Sequence, residues 1–293
     1  MIYSEYGRTG KMVSAVGFGG MRFDMSRSLE ENADLVRYAY HQGINYFDTG
    51  SLYCGGKSEK IIGMGLKGLP RDSFFVSTKA QPRTFDTKEK TVDEVKRCMD
   101  ELQVEYIDFF HIWCLMNMEA YQSAVSPGRM YDGLLECKEK GWIRHIACSS
   151  HQNGKEIRQI AEDGKVEGVL MGLNILNFPY RWEGVLGCND NGLGVVVMNP
   201  LAGGMIPTHE KELGFLARNG DTPTEAALRF AVCSPQITVA LNGVSEKAHV
   251  DMAVKVANSA KMMSEEDLEG FRSYLGTNLN SVCTGCGIGR AHV

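Results

Sequence analysis

The sequence predicts an α/β fold, a (β/α)8 (TIM) barrel with an N-terminal β-hairpin and an extra C-terminal helix. Short apolar runs alternate with amphipathic helical segments along the chain, which is typical of a parallel sheet covered by helices. Two of these runs end abruptly on charged residues, Asp48 and Lys79. No Gly-x-Gly-x-x-Gly turn opens the first helix, and this weighs against the alternative, an open doubly wound sheet.

The predicted elements follow one another in a regular order. Residues 2–6 and 11–16 flank Gly7-Arg-Thr-Gly10, which is typical of a hairpin. Barrel strands are predicted at residues 16–19, 44–48, 74–79, 107–112, 145–149, 168–173, 194–198 and 237–241. Helices are predicted to begin near residues 29, 58, 87, 130, 153, 180, 222 and 246. Ser264 followed by acids predicts one more helix beyond the eighth unit, whereas residues 114–129 show no interpretable pattern.

Composition limits the class of protein. We expect one domain over residues 1–293, and the 43% hydrophobic fraction is enough for a large core. The net charge of −5 argues against nucleic-acid partners and against anionic membranes. No signal peptide and no apolar run of about 18 residues is visible, so no membrane span is expected. Nine scattered cysteines favour reduced thiols and a cytoplasmic location.

The stretch from Asn45 to Tyr53 carries the first candidate site. Its apolar run ends at Asp48, and a tyrosine follows five residues later. The carboxyl ends of barrel strands meet at one mouth, where α/β barrels hold their chemistry, so Lys79 is expected to share that mouth. The alternative is that Asp48 caps the helix near Lys57 or closes a turn, and that Lys79 is a solvated charge.

Seven motifs, in their order and spacing, resemble those of the aldo-keto reductases over nearly the whole chain. They are Gly17-Phe-Gly-Gly-Met21, Gly43-Ile-Asn-Tyr-Phe-Asp48 with Tyr53, Gly56-Lys-Ser-Glu-Lys-Ile-Ile-Gly63, Thr78-Lys79, Ile146-Ala-Cys-Ser-Ser-His151, Met198-Asn-Pro-Leu-Ala-Gly-Gly204 and Leu228-Arg-Phe230. The resemblance implies an NAD(P)H-dependent oxidoreductase that reduces a small-molecule aldehyde or ketone. It does not identify the substrate or the oligomeric state.

The resemblance also implies catalytic roles. Tyr53 would be the general acid, and a free tyrosine has a pKa of about 10, which is too high for easy proton transfer near neutrality. The Lys79 ammonium would lower that pKa, and Asp48 would hold Lys79 in place. The alternative for the same three residues is a buried ion pair beside a phenol.

The fourth catalytic position departs from the family pattern. Most relatives have a histidine five residues after the aspartate of strand four, and counting from Asp108 that position is Trp113. His111 lies two residues earlier on the same face, about 6–7 Å deeper in an extended strand. We expect Trp113 to form an aromatic wall of the substrate pocket and His111 to give secondary support to catalysis. The alternative is a bulge that slides His111 upward.

The cofactor expected from the resemblance is NADP, with NAD as the alternative. The positions implied are Gly20, Met21, Asp48, Ser149, Ser150, Asn174, Asn199, Pro200, Leu201, Gly203, Gly243, Ser245 and Lys247. Ser245 and Lys247 would meet the 2′-phosphate at a helix N-terminus. Ser150, Leu170 and Ala253 replace the Asn, Gln and Asn of many relatives.

The last residues resemble the start of a ferredoxin-like (4Fe-4S) segment found in one subgroup of the family. Cys283 and Cys286 match Cys-x2-Cys, but Gly289 and Val293 occupy the third and fourth cysteine positions. We interpret residues 277–293 as a degenerate cysteine-containing tail and expect neither an iron–sulfur cluster nor another metal. A metal-site remnant or a redox pair is the alternative.

Two other functions compete with carbonyl reduction. One is a nicotinamide-binding sensor or partner subunit with weak or vestigial chemistry, which the altered amide positions and the altered fourth catalytic position favour. The other is a component of a larger redox assembly, which the cluster-like tail favours.

Overall fold

The chain begins with an antiparallel hairpin of β1 (Tyr3–Glu5) and β2 (Met12–Ser14), as the sequence predicts. The structure is a computed structural model that describes residues 1–217, 220–259 and 261–278. Tyr6 follows β1, and its ring stacks on Phe109 at 4.0 Å between ring centroids. A Cβ at Gly168 or Gly194 would lie 2.1 or 2.3 Å from Tyr6, so only glycine leaves room for this ring. Tyr6 therefore packs into the N-terminal end of the barrel.

Eight parallel strands close into a barrel in the order β10-β3-β4-β5-β6-β7-β8-β9, which confirms the predicted fold class. They are β3 (Val16–Gly19), β4 (Tyr46–Asp48), β5 (Phe75–Ala80), β6 (Ile107–Leu115), β7 (Ile143–Ser150), β8 (Gly168–Gly172), β9 (Gly194–Met198) and β10 (Val239–Gly243). The last strand ends two residues later than predicted, so Gly243 closes a strand.

Helices follow the strands and cover the barrel. They are α1 (Leu29–His41), α2 (Ser58–Leu66), α3 (Lys88–Leu102), α4 (Met118–Ala124), α5 (Met130–Glu139), α6 (Gly154–Glu162), α7 (Phe178–Asp190), α8 (Met205–Thr208), α9 (Pro223–Cys233), α10 (Lys247–Asn258) and α11 (Glu265–Asn278). The starts of the nine predicted helices agree within two residues. The short helices α4 and α8 were not predicted, and α4 lies in the stretch that showed no pattern.

Local sequence explains where several helices begin. Capping boxes start α1, α6 and α9, since an Asn, Ser or Thr side chain and a glutamate three residues later satisfy the first backbone amides. Ser264 caps α11 by accepting a hydrogen bond from the Asp267 amide. Leu268 and Leu275 of α11 are buried, and Phe271 packs on Phe230 of α9.

The core has two parts. The larger one lies between the strands and the surrounding helices, and a smaller one fills the barrel interior with residues that include Tyr6, Tyr46, Phe109 and Leu170. The N-terminal half of the barrel interior is therefore filled by packed side chains. The C-terminal half of the interior holds polar residues instead, among them Asp48, Lys79 and His111.

Candidate active site

An ion pair lies at the C-terminal end of the barrel interior. Asp48 is the last residue of β4, and Lys79 is the fifth residue of β5. Lys79 Nζ donates to Asp48 Oδ1 at 2.6 Å and also to the carbonyl oxygen of Thr49. Ser77 Oγ donates to the other carboxylate oxygen, Asp48 Oδ2, at 2.8 Å. Lys79 has no solvent exposure and Asp48 is 3% exposed, so the predicted pairing of these two residues is confirmed as a contact.

Tyr53 lies directly beside this ion pair. It begins a one-turn 3-10 helix, Tyr53–Gly56, in which the left-handed Cys54 and Gly55 bend the chain sharply. The Lys79 ammonium is 4.8 Å from the centre of the Tyr53 ring. A Cβ at Gly50 would lie 3.1 Å from Lys79 Cγ and 3.6 Å from Tyr53 Cε1, so the absence of a side chain there lets the two residues approach closely.

The pKa of Tyr53 shifts upward, whereas the expectation was a downward shift. Burial raises the pKa of Tyr53 above its ordinary value, and Lys79 opposes this rise without cancelling it. Burial alone would lower the pKa of Lys79, but Asp48 and Tyr53 together more than reverse that effect. The site thus holds a protonated phenol next to a cation, which is an arrangement that can donate a proton to an oxygen atom bound at the mouth.

His111 and Trp113 differ in their burial and in what they contact. His111 is fully buried beside Lys79 in the barrel register, and its Nδ1 is 3.2 Å from the carbonyl oxygen of Cys148. Because a carbonyl only accepts, Nδ1 carries the proton and Nε2 is an acceptor, which has no hydrogen-bond partner among the described residues. Burial lowers the pKa of His111 to about 4, so the ring is neutral at pH 7.

A bulge does occur in β6, but it lies beyond His111. The pairing of β6 with β7 shifts between Ile112 and Leu115, and Cys114 adopts a left-handed conformation with φ 63°. His111 keeps its regular partners, so the bulge does not slide it toward the mouth. Trp113 is half-buried, and its ring meets the Tyr53 ring edge-on, with centroids 5.4 Å apart and an 88° angle between the planes.

Three polar residues expected to hold the nicotinamide amide lie at the ends of β7 and β8. Ser149 is buried on β7. Ser150 Oγ donates to the Leu115 carbonyl at 3.4 Å and accepts from the Gln152 amide. Asn174 Oδ1 accepts from the amides of Leu176 and Asn177, while its Nδ2 donates to the Asn199 carbonyl. Ser150 and Asn174 therefore support the loops around the mouth.

The loop after β9 has an unusual backbone that suits an anion. Asn199, Ala202, Gly203 and Gly204 all have positive φ, between 52° and 100°. Pro200 and Leu201 lie between the first two of these residues. The step from Leu201 to the left-handed Ala202 is of the kind that makes an anion-binding concavity, although the Ala202 and Gly204 amides already donate to the carbonyl oxygens of Asn199 and Leu201.

The end of β10 gathers cations, two of which the sequence analysis did not single out. Arg22, just after Gly20 and Met21, packs against Gly243, where a Cβ would lie 2.7 Å from Arg22 Cγ. Arg27 Nη1 donates to the Ser245 carbonyl oxygen at 3.0 Å. Lys247 begins α10, and its ammonium lies 4.9 Å from the centre of the Tyr38 ring. Arg27 also pairs with the Asp24 carboxylate at 3.3 Å, and Lys247 is drawn toward α1, so only part of this positive charge is left for an anionic group.

Arg181 is a second residue that sequence reasoning missed. It is 7% exposed, and its guanidinium donates to three backbone carbonyls, those of His151, Gln152 and Gly172. These bonds tie the C-terminal ends of β7 and β8 together behind the mouth. Nothing in the sequence marked this role, because an arginine in the first turns of a helix usually faces water.

Metal ligands and membrane spans were also sought in the described parts of the chain. No group of three or more His, Cys, Asp or Glu side chains there is placed to hold a metal ion. None of the helices in the same ranges has the length and apolar character needed to cross a bilayer. Cys283 and Cys286, on which the expectation of a degenerate tail rests, lie outside the described residues.

Comparison with known proteins decides the family. The model of the aldo/keto reductase family matches residues 15–273. The chain belongs to the aldo/keto reductase family. It is therefore an oxidoreductase of the aldo-keto reductase type.

Individual relatives are distant but cover most of the chain. L-Galactose dehydrogenase of Arabidopsis thaliana is 26% identical over 92% of both chains. The NADH-specific methylglyoxal reductase of Escherichia coli is 27% identical over 68% of this chain and 65% of its own.

Solved structures support the same fold. The holo form of aldo-keto reductase AKR11C1 from Bacillus halodurans has a TM-score of 0.79 at 21% identity, and the alignment covers 94% of this chain and 96% of that one. An aldo-keto reductase from Klebsiella pneumoniae in complex with NADPH has a TM-score of 0.76 at 17% identity, with coverage of 94% and 96%.

Proposed function

We propose that the protein uses NADPH or NADH to reduce an aldehyde or ketone to an alcohol, with Tyr53 as the general acid. The observation that carries this proposal is the buried Asp48–Lys79 pair with the Tyr53 phenol directly beside it. When bound, the reduced nicotinamide supplies the hydride that the carbonyl carbon gains, and is itself oxidised. Tyr53 gives its proton to the carbonyl oxygen.

The roles of the other residues follow from their contacts. The Lys79 ammonium stabilises the phenolate that Tyr53 leaves behind, because opposite charges at this separation attract strongly in a buried site. Asp48 fixes the Lys79 ammonium and compensates its buried charge, while Ser77 fixes Asp48. His111 is neutral and fully buried beside Lys79, so we assign it a supporting position. We assign Trp113 to the wall of the substrate pocket.

The residues present fit a nicotinamide dinucleotide. The positive-φ loop at residues 199–204 suits a pyrophosphate, and the cations near Gly243 suit a phosphate at the adenosine end. Ser149, Ser150 and Asn174, at the ends of β7 and β8, are the residues that we propose for the nicotinamide end of the cofactor. We propose NADP as the preferred cofactor, supported by Arg22 and Arg27 in addition to Ser245 and Lys247.

Two measurements test this function. Fluorescence titration with NADPH and with NADH reports cofactor binding without any turnover, and saturable quenching is expected, tighter with NADPH. Cofactor oxidation with a panel of aldehydes then reports reduction. Binding without oxidation by any carbonyl would favour the competing function, a nicotinamide-binding sensor, for which Trp113 in the fourth catalytic position is the supporting observation.

We also propose that the chain carries no iron–sulfur cluster. The support is the sequence, in which Gly289 and Val293 occupy two of the four cysteine positions. Anaerobic reconstitution, visible absorbance and iron counting test this. A stoichiometric four-iron cluster in each chain would contradict it, and recovery of one only in a dimer would indicate ligands shared between two chains.

A further inference from the structure

We propose that Glu59 is a positioning residue, which fixes the turn that carries Tyr53 against the strand that carries Lys79. This inference rests on the proposed function, because it concerns how the proton donor is held beside its ammonium. Glu59 belongs to α2, outside the barrel wall, and it acts through the elements that it joins.

The turn that holds Tyr53 is built from residues in unusual conformations. Cys54, Gly55 and Gly56 follow the tyrosine with positive φ values of 54°, 65° and 82°. A Cβ at Gly55 would meet no atom of the described residues within 4 Å, so the turn is open on that side. Glycine loses more conformational freedom on folding than any other residue, so this turn needs support from its neighbours. The helix α2, which begins at Ser58 directly after the turn, can supply it.

Glu59 connects the first turn of α2 to β5. The residue is fully buried, and its Oε1 accepts a hydrogen bond from Thr78 Oγ1 at 2.6 Å. Thr78 directly precedes Lys79 in β5, and successive residues of a strand point to opposite faces. Thr78 therefore faces α2 while Lys79 points into the barrel. Hydrogen bonds to carboxylates are among the stronger ones, so Glu59 holds β5 firmly at the residue next to Lys79.

Ser58, the residue before Glu59, holds the other side of the ion pair. Ser58 Oγ gives its one proton to a backbone carbonyl in the turn after β3, so it accepts from Thr49 Oγ1 at 2.7 Å. Thr49 directly follows Asp48, and its carbonyl oxygen accepts from Lys79 Nζ. The first turn of α2 thus binds the residue after the catalytic aspartate and the residue before the catalytic lysine, and Tyr53 lies just ahead of it in the chain.

The charges around Glu59 are not those that stability alone would favour. Arg97 Nη2 donates to Glu59 Oε2 at 2.9 Å, but the same guanidinium makes two bonds of 2.8 Å to Glu94. Two buried carboxylates therefore share one cation, whose side chain is 39% exposed. A buried carboxylate without a cation of its own costs stability. A role in holding the reacting groups explains its presence better than a role in folding.

The test removes the Glu59–Thr78 bond from either end. The measured quantity is the single-turnover rate of cofactor oxidation at saturating substrate, corrected for the folded fraction. Glu59→Leu and Thr78→Val should each lower it about ten- to a hundredfold, because a small displacement of a reacting group is costly. KM and the Kd for NADPH should change by less than about threefold, since both side chains lie on the outer side of β5. Thr78→Ser restores the hydroxyl and should stay within about threefold of the wild-type rate.

Glu94 provides the matched control. It is buried and binds the same guanidinium as Glu59, but it belongs to α3 and its bonds are to residues of that helix. Glu94→Gln should therefore keep the rate within about threefold of wild type, even where it lowers stability. Equal losses of rate in Glu94→Gln and Glu59→Leu would overturn the inference, because the cluster would then only support the fold.

A double variant separates positioning of Tyr53 from general damage. In a Tyr53→Phe background, Glu59→Leu should lower the remaining rate by less than about threefold, because the group that it positions is absent. An equal factor with and without the phenol would overturn the inference and leave the proposed function standing. A wild-type rate in Thr78→Val, or a Thr78→Ser variant as slow as Thr78→Val, would do the same. If Tyr53→Phe itself kept the wild-type rate, the proposed function would fall together with the inference.

Discussion

Two buried aspartates, on the strands that flank β5, pair with cations at opposite ends of the barrel. Asp48 and Lys79 meet at the C-terminal end, and Asp108 and Arg71 meet at the N-terminal end, each at 2.6 Å. The two aspartates are 3% and 4% exposed. The distances and the burial of the aspartates therefore match, although the Arg71 side chain is 21% exposed and that of Lys79 is fully buried.

Their surroundings differ. Arg71 also donates to the carbonyl oxygens of Phe74 and Tyr106, and Asp108 accepts from the Val76 amide. This pair ties the starts of two strands together. The Lys79 ammonium instead lies against a half-buried phenol at the mouth. A buried ion pair thus indicates chemistry only where it adjoins a titratable group that reaches solvent. In α/β barrels, that position lies at the C-terminal end.

Replacing one cation at each end gives the largest expected contrast. Lys79→Met should lower kcat/KM for carbonyl reduction at least about a hundredfold, because the phenolate left by Tyr53 loses its neighbouring charge. Arg71→Met should change kcat/KM per folded molecule by less than about threefold. Steady-state kinetics of both variants, corrected for the folded fraction, test this, and similar losses in the two would contradict the distinction.

At the N-terminal end, we expect the substitution to lower stability rather than activity. Arg71→Met leaves Asp108 buried without its cation, so we expect the free energy of unfolding to fall by about 3 kcal/mol. The double variant Arg71→Met/Asp108→Asn removes the buried charge but keeps an acceptor for the Val76 amide, and it should recover part of that loss. Urea denaturation of wild type and both variants measures this. A double variant less stable than the single one would mean that Asp108 is not the source of the cost.

The buried His111, at the C-terminal end of the barrel, should make the stability of the protein depend on pH. Its folded pKa of about 4 lies below the ordinary value of 6.5, so the folded state resists a proton that the unfolded chain accepts. Stability from this residue is fully present above pH 6.5 and is lost as the pH falls toward 4, by about 3 kcal/mol in all.

The variant His111→Leu should therefore show a flatter decline of stability between pH 6.5 and 4, and His41→Leu, at an exposed histidine, should follow wild type. The measurement is the urea midpoint at several pH values. An unchanged slope in His111→Leu would contradict the low pKa. The rate of carbonyl reduction by His111→Leu should fall by less than about tenfold, since His111 is fully buried and its Nδ1 proton is committed to the Cys148 carbonyl.

The smallest expected effect concerns Ser77, which holds the second oxygen of Asp48. Ser77→Ala should lower kcat about three- to tenfold, the scale of one hydrogen bond, because Asp48 then holds Lys79 less firmly. Ser234→Ala is the matched control, since that serine is also fully buried but bonds to Phe230 in α9. Equal activity of Ser77→Ala and wild type would show that Lys79 alone positions Asp48.

Much of the fold could be predicted because its signals are local. Apolar runs of strand length, alternating with amphipathic segments, fix strands and helices within a few residues. Charged residues at the ends of two such runs, Asp48 and Lys79, place both at one mouth. The helix α4 was missed because seven residues are too few to show a helical period.

The rest of the site depends on distances that the sequence does not contain. The net pKa shift of Tyr53 depends on how far burial outweighs the Lys79 charge, and only the packing decides this. No particular residue type in the sequence marks the register break after Ile112. Arg22 and Arg27 reach the end of β10 from more than 200 residues away, and Tyr38 draws Lys247 aside by contacts between separate helices.

The most direct test of the account is single-turnover reduction by Tyr53→Phe with cofactor bound. The phenylalanine ring keeps the shape of the site and lacks only the hydroxyl group that donates the proton. The account predicts that the rate of cofactor oxidation falls about a hundred- to ten-thousand-fold while the Kd for NADPH, from fluorescence titration, changes little. A variant that keeps more than about a tenth of the wild-type rate, with chemistry limiting, would show that Tyr53 is not the acid.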